Sequence, residues 1–383
     1  MSTLKVDGIR SNSASSDAIT LASDGTCTAN ITNNLSNRNL IINGAMQVAQ
    51  RGTSSTTNGF ATVDRFYVSY GGTDEAPTQA QADVASGTTP YTLGFRKSYK
   101  ITNGNQTSGA GAGDYVAYVY KVEAQDIANS GWNYVSSSSN ITLSFWVKSS
   151  VAQNFYGYVR SNDGTEQSYP FETGSLSADT WTKITKTIPG NSNITIDNNN
   201  GNGFEFLFWP YIGTTYTDAG VSLNAWAAYA SGTRTPVSTS TWYTTNDATF
   251  EITGVQLEVG SVATDFEHRS YAQELALCQR YFYTQDALTP NDIIFNGYFG
   301  GGNGRRPYQL PVTMRAAPNV TFNSYSQLQV YESSGWTNRN LSVSETRKEY
   351  ILLGFDSTSH NYNKLINVLS PTVYPIFYAS AEL

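Results

Sequence analysis

The sequence predicts an all-β protein built mainly from antiparallel sheets. Its 383 residues include 26 Tyr, 17 Phe and 7 Trp, and aromatic residues favour the pleated surface of strands. Only 14% of the residues are charged, against roughly 25% in ordinary globular proteins. Short runs of alternating apolar and polar residues are separated by clusters rich in Gly, Asn and Ser, which is the pattern of strands joined by turns. We expect four parts: a thin N-terminal β-segment, a β-sandwich or jelly-roll body, one linking helix and a small C-terminal β-domain.

The N-terminal segment, residues 1–38, is polar and carries only a few alternating apolar residues. These are Leu4, Val6, Ile19, Leu21, Cys27, Ala29 and Ile31. So few apolar groups cannot bury a stable core within one chain. The segment is therefore either a flexible tail or a set of short strands that intertwine with identical copies from sister chains. We favour the intertwined strands, because regular strand spacing has no use in a tail.

Residues 39–270 are predicted to form the body. Along Tyr115–Val122 the odd-numbered residues (Tyr115, Ala117, Val119, Lys121) alternate with a more apolar even-numbered set. Such alternation indicates antiparallel sheets with one face towards solvent. Further strands are expected at 66–70, 95–102, 141–148, 155–160, 182–188, 204–209 and 248–259. A shift in the alternation at Gly254 predicts a β-bulge there.

A linking helix is predicted over residues 271–283. Ser270 and Gln273 have the spacing of a capping box, and Leu275, Cys278 and Phe282 would lie on one helical face. Residues 284–383 then form the C-terminal β-domain, with strands expected at 321–331, 350–355 and 363–370 and a last aromatic strand.

Composition excludes several classes of partner. The net charge of −7 argues against nucleic acid, whose phosphates require a basic surface. No stretch approaches the roughly 20 apolar residues of a membrane span, and the N-terminus lacks the apolar centre of a signal peptide. Cys27 and Cys278 are expected to be free thiols, because they lie far apart in regions of different character. We expect a soluble protein made in the cytosol, with no cofactor.

Catalytic and metal-binding chemistry is not expected. The two histidines, His268 and His360, have no glycine-flanked serine nearby, and the spacing of His and Cys does not suit zinc. The carboxylates are thinly spread, so a glycosidase pair is not evident. Asp163 and Glu166 favour a turn. A structural calcium at 197–200 would have one carboxylate among amides, which is a weak field for a hard cation.

Sugar binding is the most plausible chemistry. It uses aromatic faces that stack on pyranose rings, beside amides and charged groups that bond hydroxyls. Aromatic residues lie in loop-like sequence at 209–220, 224–229 and 238–247, and in a predicted hairpin tip at 334–340. The candidate binding residues are Trp209, Tyr211, Trp226, Trp242, Tyr243, Trp336 and Arg339. The competing interpretation is that Trp209, Trp226 and Trp242 close the end of the sandwich.

Arg305 and Arg306 follow a glycine-rich run that lacks the ending of a phosphate loop. We expect them to form an exposed contact patch or an interface pair between chains.

Three stretches resemble one module. They read GVQLEVGSVATDFEHRSYAQELALCQRYFY (254–283), NLIINGAMQVAQRG (39–52) and VDRFYV (63–68). The module is found in virion fibre and tail proteins of tailed bacteriophages. The resemblance implies a homotrimeric virion fibre with a jelly-roll-like body that binds the host surface. Together with the aromatic stretches, it leads us to expect a tail fibre that adheres to host-surface polysaccharide. It also implies that the N-terminus attaches to other virion proteins, with Leu4, Val6 and Ile9 as candidate attachment residues.

Two alternatives remain open. The chain could be a head fibre, decoration protein or tail connector without a receptor role, or it could be a glycan depolymerase. The depolymerases of such phages usually have a long parallel β-helix, and its repeat is not visible in this sequence.

Overall fold

A computed structural model describes residues 6–15, 17–21, 23, 27–29, 37–286, 292–299, 305–322, 327–332, 335–355, 364–370 and 375–383. The strands of the first 260 residues are β1 (Gly8–Ile9), β2 (Ile19–Leu21), β3 (Cys27–Ala29), β4 (Ser54–Ser55), β5 (Phe66–Gly71), β6 (Thr78–Asp83), β7 (Lys97–Thr102), β8 (Tyr115–Glu123), β9 (Asn140–Ser149), β10 (Asn154–Ser161), β11 (Gln167–Ser175), β12 (Thr182–Pro189), β13 (Asn202–Ile212), β14 (Ala227–Ala228) and β15 (Thr249–Val259).

The remaining strands are β16 (Phe282–Asp286), β17 (Asp292–Phe299), β18 (Arg305–Gln309), β19 (Asn319–Phe322), β20 (Gln327–Glu332), β21 (Gly335–Thr346), β22 (Tyr350–Phe355), β23 (Lys364–Ser370) and β24 (Pro375–Ser380). The helices are short: α1 (Thr89–Thr92), α2 (Ala124–Ala128), α3 (Thr241–Thr244) and α4 (Tyr271–Gln279), with a 3-10 turn at Thr214–Tyr216. The protein is therefore all-β, as predicted.

The body is a sandwich of two six-stranded sheets. Sheet I has the order β14-β11-β10-β13-β8-β5, and sheet II has the order β12-β9-β15-β7-β6-β4. The strand pairs within both sheets are antiparallel. The chain crosses between the sheets at β4–β5, β5–β6, β7–β8, β8–β9, β9–β10, β11–β12, β12–β13 and β14–β15, and this repeated crossing is typical of a jelly roll.

The core lies between the inner faces of the two sheets. Phe208 of sheet I packs 5.1 Å from Phe145 and 5.1 Å from Phe250 of sheet II, measured between ring centroids. The alternation predicted for β8 is confirmed: Tyr118 and Tyr120 belong to this core, whereas the odd-numbered residues point to the opposite face. Sheet I therefore has an inner face in the core and an outer face.

The predicted bulge in β15 is also confirmed. Its pairing with β9 shifts between Thr253 and Gln256, and Gly254 has φ +63. This left-handed conformation favours glycine. A Cβ at that position would lie 2.6 Å from a ring carbon of Phe95, so close packing excludes a side chain as well.

The N-terminal strands form a small antiparallel sheet with the order β1-β2-β3, close to the expected strands. Among the described residues, apolar side chains of this sheet and of the residue before it are partly exposed: Val6, Ile9 and Leu21 are 38%, 52% and 38% exposed. Leu4 and Ile31 lie outside the described residues. Each chain thus leaves apolar surface on this sheet that a neighbour could cover.

The linking helix begins as predicted and ends earlier. The capping box is present, with the Ser270 side chain accepting from the Gln273 backbone. The helix stops at Gln279 instead of continuing to 283, because the run Tyr281-Phe282-Tyr283 favours extended backbone and β16 pairs with β24. Cys278 is a buried free thiol, as expected, and burial raises its pKa well above the ordinary value. The Cys27 side chain lies outside the described part.

The C-terminal part contains a three-stranded sheet (β16-β24-β19) and a six-stranded sheet (β17-β23-β20-β21-β22-β18). Its core includes Met314, Leu353 and Phe377. Pro307 lies in β18, which is an edge strand, where the missing N–H is tolerated. Arg305 is exposed, and the Arg306 side chain lies outside the described part. The strand expected over 321–331 consists of β19 and β20 on either side of an undescribed segment.

The end of the chain packs back against the body through a buried ionic network. Glu382 pairs with Arg65 and, at 3.0 Å, with Arg51. Nearby, Arg280 binds Glu123 through Nε at 2.8 Å and Nη2 at 2.9 Å. These bonds tie helix α4 and the last residues to sheet I.

Candidate functional site

The outer face of sheet I carries a pocket of about 270 Å³. Strands β5, β8, β10 and β13 form its floor, and the segment between β13 and α3 covers one side. The lining residues are Tyr67, Ser69, Tyr115, Ala117, Val119, Lys121, Tyr158, Arg160, Glu205, Leu207, Trp209, Tyr216, Tyr229 and Arg234. The volume lies near the lower end of the roughly 300–1,000 Å³ typical of small-ligand sites, so it suits a short stretch of a larger ligand.

Strand register arranges the floor in two parallel rows. The first row is aromatic and apolar: Tyr67 pairs with Val119, Val119 with Leu207, and Leu207 with Tyr158. The second row is charged. There Lys121 pairs with Glu205, and Glu205 with Arg160. Because directly opposite residues on one face are close neighbours, a ligand on this face meets apolar surface beside a line of charges.

Trp209 follows the regular alternation of β13 onto the outer face. A bulge comes next in the strand: the pairing of β13 with β8 shifts between Phe208 and Tyr211, where Pro210 has no N–H to donate to the ladder. Trp209 packs 4.8 Å from the Tyr158 ring in an edge-on arrangement, and it is 1% exposed. It forms the base of the pocket.

The covering segment, residues 213–240, holds its pocket residues in place by backbone bonds. Arg234 N donates to Tyr216 O at 2.9 Å, and Asp218 N donates to Thr235 O at 3.1 Å. Tyr229 N donates to Glu166 O at 2.9 Å, next to the pairing of β14 with β11. We call this segment the covering loop. It places three side chains over the outer face: Tyr216, Tyr229 and Arg234.

Cations stack on the tyrosines of the pocket. The Arg160 guanidinium lies 4.2 Å from the Tyr229 ring centroid, and that of Arg234 lies 4.7 Å from the Tyr216 ring centroid. Arg160 also forms an ion pair with Glu205 at 2.6 Å and a longer one with Glu166 at 3.3 Å. Stacking and pairing together restrict these side chains to one geometry.

Burial changes the protonation of several lining groups. It raises the pKa of Tyr67 to about 12, so the hydroxyl stays protonated and can donate at any physiological pH. Burial also raises the pKa of Glu205, although the charges of Arg160 and Lys121 oppose the change. The pKa of Lys121 is lowered by burial, and its Nζ donates to Leu383 O at 3.0 Å.

The residues proposed from sequence are found in three environments. Trp209 lines the pocket. Tyr211, Trp242 and Tyr243 lie in the sandwich core, where the Tyr211 and Tyr243 rings stack at 4.4 Å and no ring face is open to a ligand. Trp226 is half-buried against that core, and its Nε1 donates to Pro189 O at 2.7 Å.

The interpretation that tryptophans close the sandwich therefore describes Trp226 and Trp242, whereas Trp209 lies on the outer face. Trp336 and Arg339 were expected in a hairpin tip, but they lie within β21, where they pair with Tyr331 and Leu328 of β20. A hairpin is present, and residues from Gly335 onwards already belong to its strand. The side chains of Trp336 and Arg339 lie outside the described part.

Sequence reasoning missed most of the lining. Tyr216 and Tyr229 lie within the aromatic stretches that it singled out, but were not chosen. Tyr67, Tyr158, Arg160, Glu205 and Arg234 were not considered. The alternation of β5, β8, β10 and β13 was the available signal, since it puts aromatic and charged side chains together on one face.

A second, larger cavity of about 1000 Å³ lies beside helix α4. Its charged groups already bond one another and the backbone: Glu267 accepts from Asn39 N at 2.8 Å and pairs with Arg269 at 3.4 Å. His268 Nε2 lies 2.9 Å from Leu93 O, a structural role as expected. His360 lies outside the described residues. This cavity therefore offers a ligand fewer uncommitted groups.

The next features to consider, in the described part of the chain, are a possible metal site and a possible membrane-spanning helix. Asp197–Asn200 forms a turn in which Asn199 Oδ1 accepts from Gly201 N at 2.7 Å. The described residues contain no group of three or more His, Cys, Asp or Glu placed to hold a metal ion. Nor do they contain a helix with the length and hydropathy of a membrane span.

Comparison with protein-family models and with curated protein sequences finds no match. Solved structures with a similar fold include the enzymatically active domain of tailspike protein 4 of bacteriophage CBA120. That match has 11% identity and TM-score 0.31, and covers 58% of this chain and 21% of the tailspike chain.

A putative sugar-binding protein from Bacteroides thetaiotaomicron is similar at 11% identity and TM-score 0.31, covering 58% of this chain and 100% of that one. The N-terminal cellulose-binding domain of Cellulomonas fimi β-1,4-glucanase C has 11% identity and TM-score 0.26, covering 56% and 99%.

Proposed function

We propose that this protein is a non-enzymatic glycan-binding component of a phage virion, a trimeric tail fibre that adheres to host-surface polysaccharide through the outer face of sheet I. The observation that carries the binding role is the pocket there. It combines an aromatic base, half-buried tyrosines and charged groups, which is the composition that binds pyranose rings and their hydroxyls. The assignment to a virion rests on the phage-like stretches at 39–52, 63–68 and 254–283.

The binding experiment compares a pocket tyrosine with a matched tyrosine elsewhere. Tyr229→Ala removes a ring that Arg160 stacks on, so we expect about a tenfold loss of glycan affinity, equivalent to roughly 1.4 kcal/mol. Tyr271→Ala is the control, because Tyr271 is 56% exposed and lies on helix α4. Affinity is measured on a glycan array and by titration calorimetry. Equal affinities in both variants would reject the pocket as the binding site.

Trimer formation is the second part of the proposal. It is supported by the apolar surface that Val6, Ile9 and Leu21 leave uncovered on the N-terminal sheet. Three linked pockets would raise avidity by roughly 10² to 10⁴ without new contacts. Sedimentation of the full chain is expected to give a trimer, and the same chain without residues 1–36 is expected to give a monomer with a folded body. A full chain that sediments as a monomer would contradict this.

Catalysis is not part of the proposal. Glycoside hydrolysis requires two carboxyl groups at the reacting bond, and the pocket lining has one, Glu205, which is held by Arg160 at 2.6 Å. We expect that incubation with bound polysaccharide releases no new reducing ends. Appearance of reducing ends that disappears in Glu205→Gln would instead identify a depolymerase.

A further inference from the structure

The charge of the pocket differs from that of the whole protein. Its lining contains Lys121, Arg160 and Arg234 but one carboxylate, Glu205, whereas the chain carries a net charge of −7. A locally basic site on an acidic protein attracts anions to that site and repels them elsewhere. The positive charge of the pocket would therefore attract a negatively charged ligand but would add nothing to the binding of a neutral sugar.

Among the described residues, Arg234 has no carboxylate partner. Arg160 is neutralised by Glu205 and Glu166, but Arg234 forms no ion pair with any residue in the described part of the chain. Its Nε is buried and has no hydrogen-bond partner there. A buried donor of a charged group left unpaired costs free energy, and a bound anion would satisfy it.

Arg234 is also held in position before any ligand arrives. Its guanidinium lies over two rings, 4.7 Å from Tyr216 and 6.0 Å from Tyr229, and its backbone is bonded to Tyr216. A planar guanidinium fixed in this way can bind a carboxylate or sulfate with two parallel hydrogen bonds.

From these observations we propose that the pocket binds an acidic glycan, and that Arg234 receives the carboxylate or sulfate of one sugar while the neighbouring tyrosines pack against its ring. This inference rests on the proposed glycan-binding function and specifies its ligand class. Glu205 would repel the anion, so the negative group lies at the covering-loop side of the pocket.

The test is a titration of the full-length protein with three oligosaccharides of equal length. These are oligogalacturonate, its carboxyl-reduced neutral counterpart and a sulfated oligosaccharide. We expect at least one acidic ligand to bind about tenfold more tightly than the neutral one, with an affinity that falls as salt is added. The two acidic arms distinguish carboxylate from sulfate.

Variants then assign the effect to one residue. Arg234→Gln should remove the preference for the acidic ligand while Arg234→Lys keeps part of it. Arg96→Gln is the control, because Arg96 also stacks on a tyrosine, at 3.9 Å from the Tyr91 ring, outside the pocket. Equal binding of neutral and acidic ligands would overturn this inference and leave glycan binding intact. A preference that survives Arg234→Gln would overturn the role of Arg234, and no binding of any glycan, neutral or acidic, would reject the proposed function itself.

Discussion

On the inner face of sheet I aromatic rings are covered by sheet II, whereas on the outer face they are covered in part by the covering loop and by single residues such as Phe60, whose ring centroid lies 4.7 Å from that of Tyr67. Tyr118 shows the first case: it is fully buried, and its hydroxyl lies 2.6 Å from Phe250 O. Tyr67 shows the second: it is half-buried beside Lys121, whose Nζ lies 5.7 Å from its ring. The same residue type stabilises the fold on one face and remains available to a ligand on the other.

The comparison predicts unequal losses of stability. Phe208→Ala on the inner face should lower the free energy of unfolding by about 3–5 kcal/mol, because it empties a site that is 0% exposed. Tyr67→Ala on the outer face should cost about 1 kcal/mol, since its ring is partly in contact with water already. Urea denaturation followed by fluorescence measures both. Similar losses would show that the outer face is part of the core.

We also expect the position of the covering loop to depend on its contacts with the sandwich. Trp226 joins the two, since its ring packs 5.3 Å from Tyr169 and its Nε1 bonds Pro189 O. Trp226→Ala should lower the free energy of unfolding by about 2 kcal/mol, less than a fully buried tryptophan. It should also weaken glycan binding, because Tyr229 follows three residues later.

Trp226→Phe is the matched control and should retain most of both properties. If Trp226→Ala leaves glycan affinity unchanged, the covering loop does not position the pocket.

The smallest expected effect is the dependence of stability and ligand binding on pH, through a carboxyl group on the outer face. Burial raises the pKa of Glu205 above its ordinary value of 4.5, so the folded protein takes up this proton at a higher pH than the unfolded chain. The corresponding stability is present below the ordinary value and is lost as pH rises through the folded value. Protonation also frees Arg160 from its closest partner and leaves the pocket more positive.

Binding of an acidic oligosaccharide should therefore strengthen a few-fold as pH falls from neutral towards the ordinary glutamate pKa of 4.5, and Glu205→Gln should remove this dependence. Titrations at a series of pH values and constant ionic strength measure it. A dependence that persists in the variant would assign it to another group.

Local rules predicted several parts of the fold. The alternation of β8 places Tyr118 in the core, Gly254 forms the bulge, and Ser270 caps helix α4. Each of these depends on a few consecutive residues, so their sequence carries the information. The end of the helix was not predicted by local rules, because it depends on β24, a strand far along the chain that pairs with Phe282.

The site was harder to predict for a physical reason. Alternation separates the two faces of a strand but does not say which side chains of other strands and loops will meet on the outer face. The bulge at Pro210 then shifts the phase, so that Trp209 is in the pocket while Tyr211 is in the core. Arg234 reaches the pocket through the long covering loop, whose path depends on contacts with sheet I.

The strands that stabilise the body and the loop that places side chains over the pocket are different parts of the chain. The paired strands outside the covering loop supply the cohesion of the body, while Tyr216, Tyr229 and Arg234 lie on the covering loop, which adds only the two-residue strand β14 to sheet I. If the pocket binds glycan as proposed, exchanging the covering loop for another of similar length would change which sugar is bound and leave most of the framework as it is.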